Sequence, residues 1–285
     1  MSVHPSVWSF RSAAPASAPA RRARRAFTLV ELIVVIAIVA IVVGFTLVAL
    51  RSARQGSRVA RCLAQVRSLQ LAHLAYAADH RGFLADVGLP HGGIGFPEQS
   101  FITTLRPYFD SPAVLRSPLD ESPHWPSGQG GQGVPVPGTS SAARVTSYGM
   151  NDYLSRSFSV AADFGSPIAD RLARIPSPAA TVMSVFMAEE GAYAGSDHPH
   201  VYQWAPPGPP GVPGGPGSAL PPIQAASQLQ TDAAGGKAKT WDARSNYGFA
   251  DGHVGTLPFS EVYQTAEINR FDPAVAGSFG ARMGG

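Results

Sequence analysis

The sequence predicts an α+β fold in which one long N-terminal helix packs on a small antiparallel β-sheet with long loops. Three observations support it: an apolar run that continues into an amphipathic stripe, short apolar segments between turn signals, and 26 Pro with 30 Gly among 285 residues. That proline and glycine content is typical of long loops. We therefore expect one head domain, residues 82–285, that packs on the helix.

The helix begins in an apolar run that is long enough to cross a membrane. Residues 27–50 contain one charged side chain, Glu31, and a helix of this length measures about 36 Å. Arg51, Arg54 and Arg58 follow directly, so no small-residue cleavage site of a secretory signal peptide closes the run. We predict a transmembrane helix over 27–50. A charge inside a membrane costs about 2.5–3.5 kcal/mol, which indicates that Glu31 has a function.

The helix is expected to continue through residues 51–81 as an amphipathic segment. No proline interrupts this stretch, and apolar side chains recur at three- and four-residue steps. The predicted stripe consists of Val59, Cys62, Leu63, Val66, Leu69, His73, Leu74 and Ala77. Cys62 is the only cysteine, which excludes an intramolecular disulfide, and we expect it to pack within the stripe.

The head is expected to contain short strands. The apolar patterns of residues 145–154 and 180–190 predict two of them. The sharpest local signal is a hairpin within 241–257, where Asp251 and Gly252 separate two apolar runs. An Asp-Gly pair favours a two-residue turn in which both central residues have positive φ.

The positive charge of the chain comes from its first residues. Residues 1–26 contain five arginines and no acid, so a chain that begins at Phe27 has a net charge of −2 instead of +3. Nucleic-acid binding is therefore not expected. The denser basic cluster precedes the apolar run, which favours a cytoplasmic N-terminus.

The stretch AFTLVELIVVIAIVAIV, residues 26–42, resembles the N-terminal cleavage and methylation segment of type IV prepilins and type II secretion pseudopilins. The resemblance implies that residues 1–26 are a basic leader peptide and that prepilin peptidase cuts between Ala26 and Phe27. It also implies that the new amine of Phe27 is methylated. The family usually has Gly before the cut, and Ala26 preserves the small size at that position.

The same resemblance gives Glu31 a role in assembly, because it becomes the fifth residue after cleavage. In the family this carboxylate lies opposite the amine of a neighbouring subunit. The implied function is a structural subunit of a type IV pilus or type II secretion pseudopilus. Its implied partners are prepilin peptidase and copies of itself or other pilins or pseudopilins. It would be a single-pass protein of the bacterial inner membrane, with its head in the periplasm or in a filament at the cell surface.

A second resemblance covers the head. VLRSPLD, SYGMNDYL, IPSPAATVMSVFMAEE and NYGFADGHV are similar to a prepilin-type family, frequent in planctomycetes and verrucomicrobia, that is named for a His, nine residues and Asp-Gly. Asp251 and Gly252 match the end of that motif. Trp241 stands where the family has His, and Ser117 stands where many members have Cys. Membership implies a surface or secretion-apparatus protein.

Five side chains of the head belong to metal-binding types: Asp197, His198, His200, Asp251 and His253. Their spacing matches no zinc signature, whereas a loop calcium site built from oxygens would resemble that of some pseudopilins. We expect no cofactor and interpret these side chains as turn and solvent-facing residues. No Ser/His/Asp or Cys/His arrangement comes with a nucleophile motif, so no enzymatic activity is predicted.

The sequence leaves a second function class open. The chain would then be a membrane-anchored binding module, at the surface or in the periplasm, that uses the prepilin segment only for export and anchoring. Its head would capture a ligand such as polysaccharide through exposed Pro/Gly-rich loops, predicted at 126–141 and 205–222. Three aromatic side chains near the loops support this alternative: Trp125, Trp204 and Trp241.

Overall fold

The computed structural model describes residues 27–89, 97–109, 111, 115–138, 143–157, 168–204 and 220–282. The chain divides between Arg51 and Ser52 into two compact units. The predicted leader, residues 1–26, lies outside the described residues, as does the stretch 205–219 of the second predicted loop. The end of that loop prediction is wrong, because residues 220–222 open a short helix in which Pro221 and Pro222 occupy the first turn.

The long N-terminal helix is continuous, as predicted. Helix α1 runs from Leu29 to Asp79. It ends in a turn in which Arg81 and Gly82 have φ of 56° and 81°, and the Gly82 N–H donates to the carbonyl oxygen of Ala77 at 2.7 Å. This hydrogen bond, from the second residue past the cap to the last turn, is a common way to end a helix.

The C-terminal part of α1 packs on the sheet through the predicted stripe. Of the eight stripe residues, Val59, Leu63 and Leu74 are half-buried and the other five are buried. The Sγ atom of Cys62 lies 3.5 Å from the Tyr148 hydroxyl, so Cys62 is a packed residue of the helix–sheet interface.

The remaining elements are short. The described residues contain four further helices: α2 Phe101–Thr104, α3 Leu220–Ala225, α4 Pro273–Ala276 and α5 Phe279–Arg282. The strands are β1 Tyr148–Met150, β2 Val182–Phe186, β3 Arg244–Phe249, β4 Val254–Pro258, β5 Tyr263–Thr265 and β6 Ile268–Asn269. Strands β1 to β4 form one antiparallel sheet in chain order, and β5 pairs with β6. The α+β prediction is confirmed.

Strand β1 is shorter than the predicted 145–154 because Asn151 ends it. The Asn151 side chain accepts a hydrogen bond from the Tyr153 N–H at 3.2 Å and opens a 3-10 turn. Its amide nitrogen also donates to the carbonyl oxygens of Val182 and Phe271, at 2.8 and 2.6 Å. These contacts fix the chain as it leaves the sheet.

The predicted hairpin exists as β3 and β4, but the predicted turn type is wrong. The pairing of Gly248 with Val254 and a hydrogen bond from the Phe249 N–H to the His253 carbonyl leave a loop of three residues, not two. Within this loop Gly252 has φ of 94°, while Asp251 is not among the residues with positive φ. The Gly252 N–H donates to the Phe249 carbonyl. A β-turn followed by a left-handed glycine is the usual three-residue hairpin connection.

Two apolar clusters hold the sheet. The first contains the buried face of α1 together with Phe101, Tyr148 and Phe186. The second surrounds Trp204, whose ring lies 5.0 Å from that of Phe271. The sheet therefore has one core toward α1 and another formed by the loops and the β5–β6 pair.

Gly248 is in close contact with α1, and this gives a first prediction. A Cβ atom at Gly248 would overlap the side-chain amide of Gln70 and lie 2.9 Å from a methyl of Val66. We expect Gly248→Ala to lower the free energy of unfolding by about 1–3 kcal/mol, because it overpacks a buried interface. Urea unfolding followed by tryptophan fluorescence measures the effect.

Gly255→Ala is the matched control on the neighbouring strand, because the nearest atom to its added methyl would be 3.8 Å away. Its effect should stay within about 0.5 kcal/mol. Equal effects of the two substitutions would contradict the assignment of Gly248 to the tight contact.

His73 gives a second prediction, on pH dependence. The imidazole is fully buried against Phe101, and neither of its nitrogens has a hydrogen-bond partner within the described part of the chain. Burial lowers the pKa of His73 to about 3. The unfolded chain, with a His pKa near 6.5, therefore binds the proton first as the pH falls. Because of His73, the free energy of unfolding should fall by about 2 kcal/mol as the pH falls from 7 to 5.

The measurement is the pH dependence of urea unfolding in three proteins. In His73→Leu, the loss of stability between pH 7 and pH 5 should disappear. His80→Leu should still show this loss, because His80 is exposed in the adjoining turn. A wild-type slope that persists in His73→Leu would show that other groups produce it.

Candidate functional site

The first part of α1 presents an apolar surface in which Glu31 is the one charged residue. Every residue from Phe27 to Leu50 is exposed, including Phe27 at 81% and Leu29 at 73%. This segment passes the length and composition criteria for a membrane span. An apolar surface of this size needs a cover of lipid or of other apolar helices. The segment therefore has the length and composition of a membrane anchor.

Glu31 closes the N-terminus of α1 through reciprocal hydrogen bonds with Thr28. The Glu31 Oε2 atom accepts from the Thr28 N–H at 2.8 Å and from its hydroxyl at 2.9 Å. In return, the Glu31 N–H donates to the Thr28 hydroxyl oxygen at 3.2 Å. This is a capping box, in which two helix N–H groups gain partners. Its signal, Thr followed three residues later by Glu, is visible in the sequence, but the apolar pattern that predicts the helix does not reveal it.

The cap leaves part of the Glu31 carboxylate open. Both hydrogen bonds from Thr28 go to Oε2, and Oε1 accepts none from the described residues. Glu31 lies one turn after Phe27, and Ala26 lies outside the described residues. Oε1 therefore has room to accept a hydrogen bond from a cation while the capping box stays intact. Cleavage before Phe27 and the pairing of Glu31 stay predictions.

The side chains of Asp197 and His198 lie in the core rather than in solvent, so the solvent-facing interpretation was wrong for both. Asp197 is fully buried and accepts hydrogen bonds from the Gly88 and Leu89 N–H groups, each at 3.0 Å, and from the Ser100 hydroxyl at 2.5 Å. Buried His198 places its Nδ1 atom 3.0 Å from Asp197 Oδ1. These four partners occupy the oxygens that a cation would need.

The other metal candidates lie apart from this carboxylate or face aromatic rings. The His200 ring lies 5.2 Å from that of His198. Asp251 and His253 are exposed at the hairpin tip, with His253 Nδ1 2.6 Å from Asp251 Oδ1. Partial burial alone would raise the pKa of Asp251, but the His253 N–H groups hold it below its ordinary value. Among described residues, no three His, Cys, Asp or Glu side chains could hold a metal together.

A buried arginine organises the loops at the end of β2, and no sequence pattern predicted it. Arg144 is fully buried and its Nε donates to Asp120 Oδ2 at 2.8 Å. Its terminal nitrogens donate to the carbonyl oxygens of Met187, at 3.1 Å, of Ala188, at 2.6 Å, and of Ala194. Burial lowers the pKa of Arg144, and the charge of Asp120 opposes this effect.

Asp120 completes this ion pair with hydroxyl and amide donors. Its Oδ2 accepts from the Ser147 hydroxyl at 2.6 Å, and its Oδ1 accepts from the Ser122 N–H at 2.9 Å. Ser117, at the position where the resembled family often has Cys, donates its N–H to the same Ser147 hydroxyl at 2.8 Å. Residues 115–120 are thus bound to Ser147, directly before β1, which is a structural role.

The three tryptophans proposed as ligand platforms pack against other side chains of the head. Trp204 lies in the second core with its indole N–H 3.1 Å from the Gln228 side-chain oxygen. Trp125 is 2% exposed and lies beneath the guanidinium of Arg116. Trp241 is half-buried and stacks on Phe259 at 5.7 Å. This stacking gives Trp241, which stands where the resembled family has His, a packing role.

Comparison with known proteins identifies the class of the N-terminal segment. Residues 21–47 match the family model described as the prokaryotic N-terminal methylation motif. No curated protein and no solved structure matches the chain significantly. The chain therefore carries a prepilin-type segment on an apolar helix, as expected of a membrane-anchored, pilin-like precursor. The motif indicates a structural subunit rather than an enzyme.

Proposed function

We propose that this protein is a prepilin-like structural subunit that prepilin peptidase cleaves between Ala26 and Phe27. The amine of Phe27 is methylated, and the processed chain assembles with copies of itself or with other pilins or pseudopilins. The product is a filament of the type IV pilus or type II secretion pseudopilus class. The head belongs to the prepilin-type family with the His, nine-residue and Asp-Gly motif, in which Trp241 replaces the His.

The observation that carries this proposal is the prepilin-type motif over residues 21–47, with Glu31 as the one charged residue of the exposed run from Phe27 to Leu50. In a filament, neighbouring helices would cover this apolar surface. The open Oε1 atom of Glu31 would receive the amine of a neighbouring subunit while Oε2 keeps its bonds to Thr28. Pairing removes the cost of a lone charge in an apolar environment.

The proposal places the protein in the bacterial inner membrane before assembly. The basic leader is cytoplasmic, residues 27–50 span the membrane, and the head lies in the periplasm or on the filament. The proposal needs no cofactor. The alternative of an anchored binding module with Trp platforms is weaker, because Trp125 and Trp204 are buried.

Filament recovery from the native cell tests the proposal. Shearing and high-speed sedimentation should bring the processed chain down with filaments, detected by an antibody against the head. A strain without prepilin peptidase should retain the chain in the membrane fraction. Processed chain that stays entirely in the membrane of wild-type cells would contradict an assembly function and favour an anchored module.

A further inference from the structure

The head contains a cleft whose described lining residues include several arginines. It has a volume of about 850 Å³, and no described residue that lines it is Asp or Glu. Arg61 enters it from α1, Arg106 from the turn after α2, and Arg116 from the loop before β1. The volume is within the range of small-ligand sites, roughly 300–1,000 Å³.

The positive charge of this cleft is not neutralised within the described residues. Arg61 and Arg106 are exposed, and neither has an ion pair or a side-chain hydrogen bond with another described residue. Arg116 stacks on Trp125, with its guanidinium carbon 4.8 Å from the ring centroid. Arg144 at the cleft wall is paired with Asp120. Three arginines thus face one space in a chain whose residues from Phe27 onward carry −2.

The other residues that line the cleft include polar side chains that can hydrogen-bond sugar hydroxyls and apolar side chains that can pack on sugar rings. Gln65, Thr103 and Gln129 place amides and a hydroxyl in the wall, beside the apolar side chains of Phe109 and Pro126. Guanidinium groups bind carboxylates with two parallel hydrogen bonds. Carboxylates on a chain of hydroxyl-rich rings match this mixture of donors and apolar surface.

A peptide is a poorer occupant because the neighbouring sheet edge is already covered. The Ser147 N–H donates to the Leu115 carbonyl at 2.8 Å, and the Met150 N–H donates to the Asp197 carbonyl at 2.8 Å. A peptide that joined the sheet as an added strand would need backbone N–H groups of this kind along β1 to be unpaired. Recognition in this cleft therefore depends on side chains.

We infer that the cleft between Arg61, Arg106 and Arg116 binds an anionic oligosaccharide through its carboxylates. A filament or membrane-bound subunit with this site adheres to acidic polysaccharide. The inference goes beyond the proposed function and does not depend on it, because the site belongs to the unit that begins at Ser52.

Isothermal titration of the full chain in detergent micelles tests the inference with trigalacturonate as the probe. We expect saturable binding that weakens with added salt and is lost when the carboxylates of the probe are methyl-esterified. Arg61→Gln and Arg106→Gln should each raise the Kd by about 10-fold, the effect of losing one charge-assisted hydrogen bond. Arg54→Gln, on the same helix but outside the cleft, should leave the Kd unchanged.

Four results would overturn the inference. They are absence of binding at millimolar trigalacturonate, equal binding of the methyl ester, an equal loss in Arg54→Gln, and tighter binding of penta-glutamate than of the sugar. The last result would assign the cleft to acidic peptides instead. Unchanged thermal unfolding of each variant verifies that the fold is intact. Because no step involves filaments, failure here leaves the assembly proposal untouched.

Discussion

Glu31→Gln is expected to abolish filament assembly while leaving cleavage between Ala26 and Phe27 nearly normal. Glutamine preserves the capping box, because its amide oxygen can accept the two hydrogen bonds from Thr28. It removes only the negative charge. A neighbour's amine would then stay unpaired in an apolar environment, at a cost of about 2.5–3.5 kcal/mol, or roughly a 100-fold loss of sheared filament. Glu31→Ala should fail to assemble in the same way.

Thr28→Val is the matched control for the role of Glu31 as a cap. It removes the hydroxyl that binds Glu31 but retains the carboxylate. We expect helix stability to fall by about 0.5–2 kcal/mol and filaments to persist. Immunoblots of sheared and membrane fractions measure assembly and processing for each variant. If Glu31→Gln assembles as well as wild type, the cap alone explains this glutamate.

Arg144→Met is expected to lower the free energy of unfolding by about 3–5 kcal/mol. The substitution leaves Asp120 buried without its cation, and it leaves the carbonyls of Met187, Ala188 and Ala194 without these donors. When one partner of a buried ion pair is removed, the desolvation free energy of the other charge is no longer offset by the interaction between them. Urea unfolding in detergent, followed by the fluorescence of the tryptophans, measures the loss.

Two further variants test whether loss of the buried ion pair between Arg144 and Asp120 causes the expected destabilisation. Arg58→Met breaks an exposed pair with Glu121, in which the atoms are 3.4 Å apart, and should cost less than about 1 kcal/mol. The double variant Arg144→Met with Asp120→Leu should be more stable than Arg144→Met alone, because no unpaired charge stays buried. A double variant that is less stable than the single one would assign the loss to packing instead.

The long helix was predictable because its signals are local. Absence of proline and the spacing of apolar residues predict α1 and most of its buried face. Thr28 and Glu31 are three residues apart, so the capping box also lay within reach of the sequence. Gln70 is buried against Gly248, and its polarity excluded it from the predicted apolar stripe.

The parts of the head that the sequence did not predict depend on contacts between distant segments. Arg144 and Asp120 are 24 positions apart and meet only because two irregular loops fold together. Asp197 was expected in solvent because polar residues in a Pro-containing loop usually face water. Its burial follows from donors more than 90 positions away, at Gly88 and Ser100. The hairpin turn type depended on pairing register, which an Asp-Gly pair alone does not determine.

The most direct test of a processed subunit is the intact mass of the protein recovered from its native membrane. We expect a mass equal to residues 27–285 plus one methyl group, as results from a cut between Ala26 and Phe27 and methylation of the new amine. A full-length mass would contradict it. Ala26 would then block the peptidase, Glu31 would have no amine to meet, and the chain would be an anchored head.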